Sequence, residues 1–239
     1  MKKERISILH PQGLGDAIIC NGLCRYYANQ HAVDKVYVYI PKIYTNLVKW
    51  MYRDNPAITV IPINASRVGA YDYCTKVAAN LHSRVIFAGS TAINNYNKIF
   101  KKYKKFDEVI YEIAKVPYEN RYKSFYIQRD LEEEKKVLEK LGAYGAYAFI
   151  HDDPDKGFVL EPKTSLKQIR NDKSINLFHL CSALENAEEI HLMESSIKNL
   201  CEHLNLKSDK LFRYDEVRKK CGYIGYKISK ERLPWKTML

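Results

Sequence analysis

The sequence has no run approaching the roughly 18 to 20 uninterrupted apolar residues of a membrane-spanning helix. Its basic start, MKKERISILHPQG, carries an apolar stretch too short for a secretory signal peptide. The six cysteines (Cys20, Cys24, Cys74, Cys181, Cys201 and Cys221) form no CxxC pair and no regular framework. Neither a disulfide scaffold nor a metal site follows from them. Cys20 and Cys24 stand four apart on one helix face, where small buried thiols are favoured over metal ligands. The GxxxxGK[ST] of a P-loop is missing, as is the third glycine of a dinucleotide fingerprint. No known nucleic-acid recognition motif is present. These absences lead to the expectation of a soluble, cytoplasmic protein without metal or resident cofactor.

What is there is enough to build a core. The chain has 239 residues, 46% of them hydrophobic and 28% charged, close to globular norms. That length fits one large domain or two small ones. The net charge of +11 is the main deviation. Such a field attracts nucleic acid, anionic membrane surfaces or phosphorylated small molecules. The basic residues are dispersed, however, and the block Lys101 to Lys105 (KKYKK) reads first as a solvated helix end.

The apolar pattern alternates between strand and helix signals. Ile6, Ile8 and Leu9 suggest a buried first strand, followed by a glycine turn and a helix over Asp16 to Gln30. Strands are expected at Lys35–Ile40, Ile58–Ile63 and Val85–Ala88, with helices at Tyr44–Arg53 and Tyr71–Leu81. The stretch Tyr96–Gln128 has weak periodicity and receives no elements. A polar helix, Asp130–Leu141, ends at Gly142 and connects to a second alternation. There, strands fall at Tyr147–Ile150, around Ile169, at Glu189–Leu192 and at Lys210–Arg213. Between them lie a helix Ile175–Leu184 capped by Ser174 and a helix bearing Ile197, Leu200, Cys201 and Leu204. The pattern predicts two small αβ halves, residues 1–129 and 130–239, each with a parallel sheet.

In such sheets ligands sit at the carboxyl ends of the strands, and the polar residues at those ends are the site candidates. After the first strand come His10, Gln12, Gly13, Gly15 and Asp16. Glycines in that turn would supply positive φ and close ligand approach; Asp16 either complements the helix dipole or serves as a base. After the strand Tyr147–Ile150 come His151, Asp152, Asp153 and Lys156. Asp152 and Asp153 superficially suggest a metal, but adjacent residues on an extended chain point to opposite faces. After Glu189–Leu192, the residues Glu194, Ser195 and Ser196 open a helix. Their hydroxyls and free amides suit an oxyanion, although serine is also a common cap. Lys156 and Arg170 could bring cations to the same phosphates.

Several segments carry a family resemblance. HPQGLGDAIICNGLCRYYA is similar to the first strand, loop and helix of two-Rossmann-domain (GT-B) glycosyltransferases. The heptosyltransferase-like and polysaccharide-assembly enzymes are the nearest in pattern. VKWMYRDNP (Val48 to Pro56), FIHDDPDKGF (Phe149 to Phe158) and AEEIHLMESSIKNL (Ala187 to Leu200) resemble segments of bacterial and viral enzymes of this kind. The resemblance implies a GT-B-like fold with two Rossmann-like halves facing a cleft, acting in glycan biosynthesis. It implies hexosyl- or pentosyl-type transfer from a nucleotide diphosphate sugar to a glycan or other hydroxyl acceptor, without metal.

The aspartate of that family's GD pair is its proposed general base, which falls on Asp16, with His10 beside it. The family's late strand-to-helix turn contacts the donor diphosphate, which falls on Glu194, Ser195 and Ser196. This chain has ESS there, where heptosyltransferases have an acidic residue, Thr and Gly. The donor set is completed by Gly13, Gly15, His151, Asp152, Lys156 and Arg170, and Gln12 falls to the acceptor. No nucleic-acid partner is expected, and an anionic membrane surface is admitted as a peripheral one. Two other readings stay open: a sugar-nucleotide epimerase, and a basic nucleic-acid-binding module without catalysis.

Overall fold

A computed structural model describes residues 3–10, 13–64, 84–89, 105–215 and 231–238. They fall into two compact units, one running to Gln128 and the other starting at Arg129.

The first unit holds a four-stranded parallel sheet. Its strands are β1 (Glu4–Leu9), β2 (Val33–Pro41), β3 (Ile58–Ile63) and β4 (Arg84–Phe87), in the order β3-β2-β1-β4. Ile6, Ser7, Ile8 and Leu9 are all fully buried, as expected for a central parallel strand covered on both faces. The helices are α1 (Leu14–Ile19), α2 (Asn21–Ala28), α3 (Thr45–Met51), α4 (Phe106–Ile113) and α5 (Asn120–Lys123).

The sequence pattern suggested one helix over Asp16 to Gln30, and the structure breaks it at Cys20. The cause is a side chain inserted into the helical ladder. Leu23 donates its amide to Tyr111 Oη (3.1 Å), and Tyr111 donates its hydroxyl to the Ile19 carbonyl (2.8 Å). Tyr111 thus bridges the two groups that would otherwise bond to each other. At Gly22 a Cβ would stand 2.1 Å from the Asn120 carbonyl oxygen, so only glycine lets α2 approach α5 this closely. Arg25, nearly buried, ties α2 to Asp54 through two hydrogen bonds of 2.7 and 2.9 Å.

The second unit starts with α6 (Leu131–Leu141), capped by the Asp130 carboxylate and ended by Gly142 at φ 59°. Its parallel sheet has the strands β5 (Tyr147–His151), β6 (Lys167–Arg170), β7 (Glu189–Met193), β8 (Leu211–Tyr214) and β9 (Lys236–Met238) in the order β6-β5-β7-β8-β9. Helix α7 (Cys181–Glu185) precedes β7, and α8 (Ser196–Cys201) follows it. Every residue of β5 is buried.

Several expectations are corrected here. Phe106–Ile113 and Asn120–Lys123 are helical although they fall in the stretch given no elements. The expected helix Ile175–Leu184 is a 3-10 turn, Leu177–Leu180, running into α7. Its cap is Asn176, whose side chain accepts the Phe178 amide; Ser174 instead receives Lys140 on its hydroxyl. Strand β9 was not expected at all. The expected helix Tyr71–Leu81 and all but the last residue of KKYKK lie outside the described residues.

The tail carrying β9 is fastened by buried polar groups. Glu202, fully buried, accepts the amides of Arg232 (2.8 Å) and Leu233 (3.3 Å) and the Trp235 indole N–H (2.6 Å). Lys198, also fully buried, pairs with Glu231, with Glu194 and Glu202 at 3.8 and 3.9 Å.

Candidate functional site

Parallel αβ sheets bind ligands outside the carboxyl ends of their strands, where the strand order reverses. In the first sheet the chain steps outward from β1 to β2 to β3, then returns to the far side of β1 as β4. The reversal therefore lies between β1 and β4. His10 is the residue that leaves β1, and the Ala88 amide just beyond β4 reaches the Leu9 carbonyl at 2.7 Å. In the second sheet β5 leads to β6 on one side, and β7, β8 and β9 follow on the other. Here the reversal lies between β5 and β7, whose carboxyl ends carry His151 to Asp153 and Glu194 to Ser196.

At the first reversal His10 is fully buried, and neither ring nitrogen has a hydrogen-bond partner among the described residues. Burial pulls its pKa down to about 4, so the ring is neutral near pH 7. Gly13 is the residue preceding α1, extended at φ −81°, and Gly15 lies within the first helical turn. Neither glycine uses a positive φ, which corrects the expected glycine turn. The loop positions itself instead through Asp16, whose Oδ2 accepts the Gly13 amide at 3.0 Å. This is the helix-entry role of an acidic third residue. Asp16 stays partly exposed. Gln12 lies outside the described residues.

At the second reversal the three residues leaving β5 are each gripped from the end of β6. His151 Nδ1 lies 3.2 Å from Asn171 Nδ2. Asp152 pairs with Arg170 and accepts the Leu160 amide at 3.0 Å, while Arg170 also donates to the Leu160 carbonyl at 2.8 Å. Asp153 pairs with Lys173, which also reaches Asp155 at 2.6 Å. Arg170 is thus engaged by Asp152 and Leu160, with 40% of its side chain still exposed. Asp152 and Asp153 are both committed to cations, and among the described residues no group of three His, Cys, Asp or Glu side chains is placed to hold a metal. Lys156 lies in a 3-10 turn, Pro154–Lys156.

On the β7 side Ser195 precedes α8, and its hydroxyl accepts the Lys198 amide at 3.4 Å. Glu194 is buried, with Oε2 3.8 Å from Lys198 Nζ. Ser196, the first helical residue, is partly exposed. The structure therefore gathers His151, Asp152, Glu194, Ser195 and Ser196 along neighbouring carboxyl ends of one sheet, and His10, Gly13, Gly15 and Asp16 along the other. Sequence reasoning missed Asn171, Lys173 and Lys198. The signal for the first two was available: a polar run starts at the last residue of β6 (Arg170, Asn171, Asp172, then Lys173), as one does at the last residue of β5. Lys198 carries no such signal, because its burial depends on Glu231 far along the chain.

The thiols of Cys20 and Cys24 match their sequence reading. Cys20, Cys24, Cys181 and Cys201 are free and buried, and burial pushes Cys24 up to about 12. No helix among the described residues is long and apolar enough to cross a membrane.

No protein-family model matches the sequence, and no curated protein matches it. Solved structures do match its fold. The crystal structure of the glycosyl transferase family 9 protein from Veillonella parvula DSM 2008 aligns with a TM-score of 0.56 at 10% identity, over 95% of this chain and 93% of that one. The E. coli ADP-heptose LPS heptosyltransferase II aligns at 0.52 and 8% identity, over 98% and 90%. The E. coli heptosyltransferase WaaC with ADP-2-deoxy-2-fluoro heptose aligns at 0.50 and 13% identity, over 98% and 92%. At these identities the likeness is one of fold: the chain is an α/β protein with two parallel sheets, matching the GT-B glycosyltransferase structures.

Proposed function

We propose that the protein is a glycosyltransferase that moves a sugar from a nucleotide diphosphate sugar to a glycan or other hydroxyl acceptor. The observation that carries this reading is the placement of polar side chains at both points of strand reversal, one in each unit, in a chain whose fold aligns end to end with glycosyltransferase structures. Two of those neighbours are heptosyltransferases, one named for ADP-heptose and the other bound to an ADP-2-deoxy-2-fluoro heptose. A nucleoside diphosphate sugar is the corresponding donor class here.

Transfer needs a base for the acceptor hydroxyl and an environment that stabilises the departing diphosphate. Asp16 is the base in this reading. Its bond to the Gly13 amide fixes the carboxylate relative to the start of α1, and the second unit takes the donor. His151, Glu194, Ser195 and Ser196 face the nucleotide sugar, with Lys156 supplying a cation. Arg170 serves by holding Asp152 and the 160 loop in place. Gln12 and His10 complete the acceptor side; His10, being neutral and buried, orders the end of β1 rather than carrying a proton at pH 7. The reaction is metal-independent in this reading, because Asp152 and Asp153 are already neutralised by Arg170 and Lys173. The protein works in the cytoplasm, with no nucleic-acid partner.

The test has two stages. A thermal-shift screen against nucleotide sugars identifies the donor, since a ligand that binds only the native state raises the melting temperature. With that donor, Asp16→Asn loses transfer by about 100-fold or more, within the range of general-base contributions, while donor affinity stays within about twofold of the parent. Full turnover by Asp16→Asn removes Asp16 from the mechanism. Activity lost in EDTA and restored by Mn²⁺ removes the metal-independent reading.

A further inference from the structure

Asp152 and Asp153 at the end of β5 have cation partners in Arg170 and Lys173, but the contact between His151 and Asn171 leaves polar atoms unpaired. Asn171 Oδ1 is buried without a partner. The second ring nitrogen of His151, Nε2, has no partner among the described residues, yet it is not among the atoms sealed from solvent. His151 itself keeps 7% of its surface.

The orientation of the amide follows from what each arrangement orphans. With Nδ2 toward the imidazole, one N–H is used and the buried position holds an unpaired acceptor oxygen. Turned over, the amide nitrogen would occupy that buried position and leave two N–H donors unpaired. Under-satisfied oxygens are the commoner exception in proteins, and orphaned donors the rarer one. The amide therefore donates to Nδ1. A neutral imidazole that accepts at Nδ1 carries its proton on Nε2. The ring is neutral because burial draws its pKa down to about 4, helped by Lys173 and opposed by Asp152 and Asp153.

We infer that Asn171 is a positioning residue that holds His151 as a neutral Nε2–H donor, presented at the carboxyl edge of the second sheet to an acceptor atom of the bound ligand. The inference rests on the nucleotide-sugar reading of that edge, which makes the acceptor an oxygen or ring nitrogen of a nucleoside diphosphate sugar. It assigns His151 neither acid–base chemistry nor a cationic role. Its work is selection, because a buried donor fixed in one tautomer rejects a ligand that offers a second donor at the same place. An unsatisfied amide oxygen beside well-paired neighbours is the kind of local violation found where a residue is kept for function rather than stability.

The tautomer is directly observable. In the full chain with ¹⁵N-labelled histidine, two-bond ¹H–¹⁵N correlation spectra report which ring nitrogen is protonated, and loss of the signal in His151→Gln identifies it. The expected result is an unprotonated Nδ1 and a protonated Nε2. In Asn171→Asp the proton moves to Nδ1, because a carboxylate there can only accept. ADP, GDP, UDP and CDP are then titrated calorimetrically. The one that binds the wild type most tightly loses at least tenfold in affinity in Asn171→Asp.

A wild-type ring protonated on Nδ1 overturns the inference, and it does so even if the variant fails to fold. A moved proton with unchanged affinity overturns the ligand-facing role while leaving the nucleotide reading intact. If the tautomer behaves as expected but the wild type binds none of the four nucleotides, the nucleotide reading fails and the hold of Asn171 on His151 stands.

Discussion

His10 makes the stability of the protein depend on pH in a calculable way. Its ring is fully buried and its pKa falls from 6.5 to about 4 on folding. The unfolded chain therefore binds a proton between those values where the folded one does not. Stability falls as pH drops through that window and is fully recovered above it. Each pH unit inside the window is worth about 1.4 kcal/mol per group. Moving from pH 7.5 to 5.0 thus removes about 2 kcal/mol through His10 alone. His151 shares the same window and contributes a similar amount in the second unit. His191 is also held below its ordinary value by burial and adds to the slope.

The perturbation is His10→Leu, which removes the titrating group and both unpartnered nitrogens together. Urea unfolding followed by circular dichroism at the two pH values gives the readout. The variant keeps about 2 kcal/mol of the stability that the parent loses between pH 7.5 and 5.0. At pH 7.5 the variant is no less stable than the parent to within about 1 kcal/mol, because no hydrogen bond is lost with the ring. An identical loss in both proteins on acidification refutes the assignment of that proton to His10.

Two further substitutions test the framework around the sites. Gly22→Ala drives a methyl group into the Asn120 carbonyl; it lowers unfolding free energy by at least the ~1 to 3 kcal/mol typical of overpacking, and an unchanged melting temperature contradicts the close approach of α2 and α5. Glu202→Ala strips two backbone amides and the Trp235 indole of their shared acceptor. Limited proteolysis then cleaves in residues 231–238 at protease levels that leave the parent intact, and equal resistance denies Glu202 its role as anchor.

The first sheet and most of the second are legible in the sequence because their strands are short apolar runs bounded by polar turns. Central parallel strands such as Ile6–Leu9 and Tyr147–Ile150 have no polar face to obscure them. The polar residues at their ends could be located for the same reason, since the end of a buried run is marked by the first polar side chain. What could not be read are features set by partners distant in sequence. The break at Cys20 depends on Tyr111, and nothing between Asp16 and Gln30 announces it. Strand β9 is three exposed residues, Lys236–Met238, and exists because Glu202 and Lys198 secure the segment before it. The engagement of Arg170 by Asp152 is of the same type: charge and position marked Arg170 as a cation at a strand end, and its pairing with Asp152 could not be read from either segment alone.

The bridge made by Tyr111 bears on how the chain acquires its structure during synthesis. The two backbone groups it joins lie 88 and 92 residues earlier. Helices of six and eight residues are too short to persist alone in water, so α1 and α2 await a partner that leaves the ribosome much later. The first sheet waits as well, since β1 is flanked by β4 as well as by β2. Domains fold as units during translation, and this one has no earlier stopping point. The segment carrying Asp16 is made well before Tyr111, and it reaches its folded geometry only after Tyr111 has emerged.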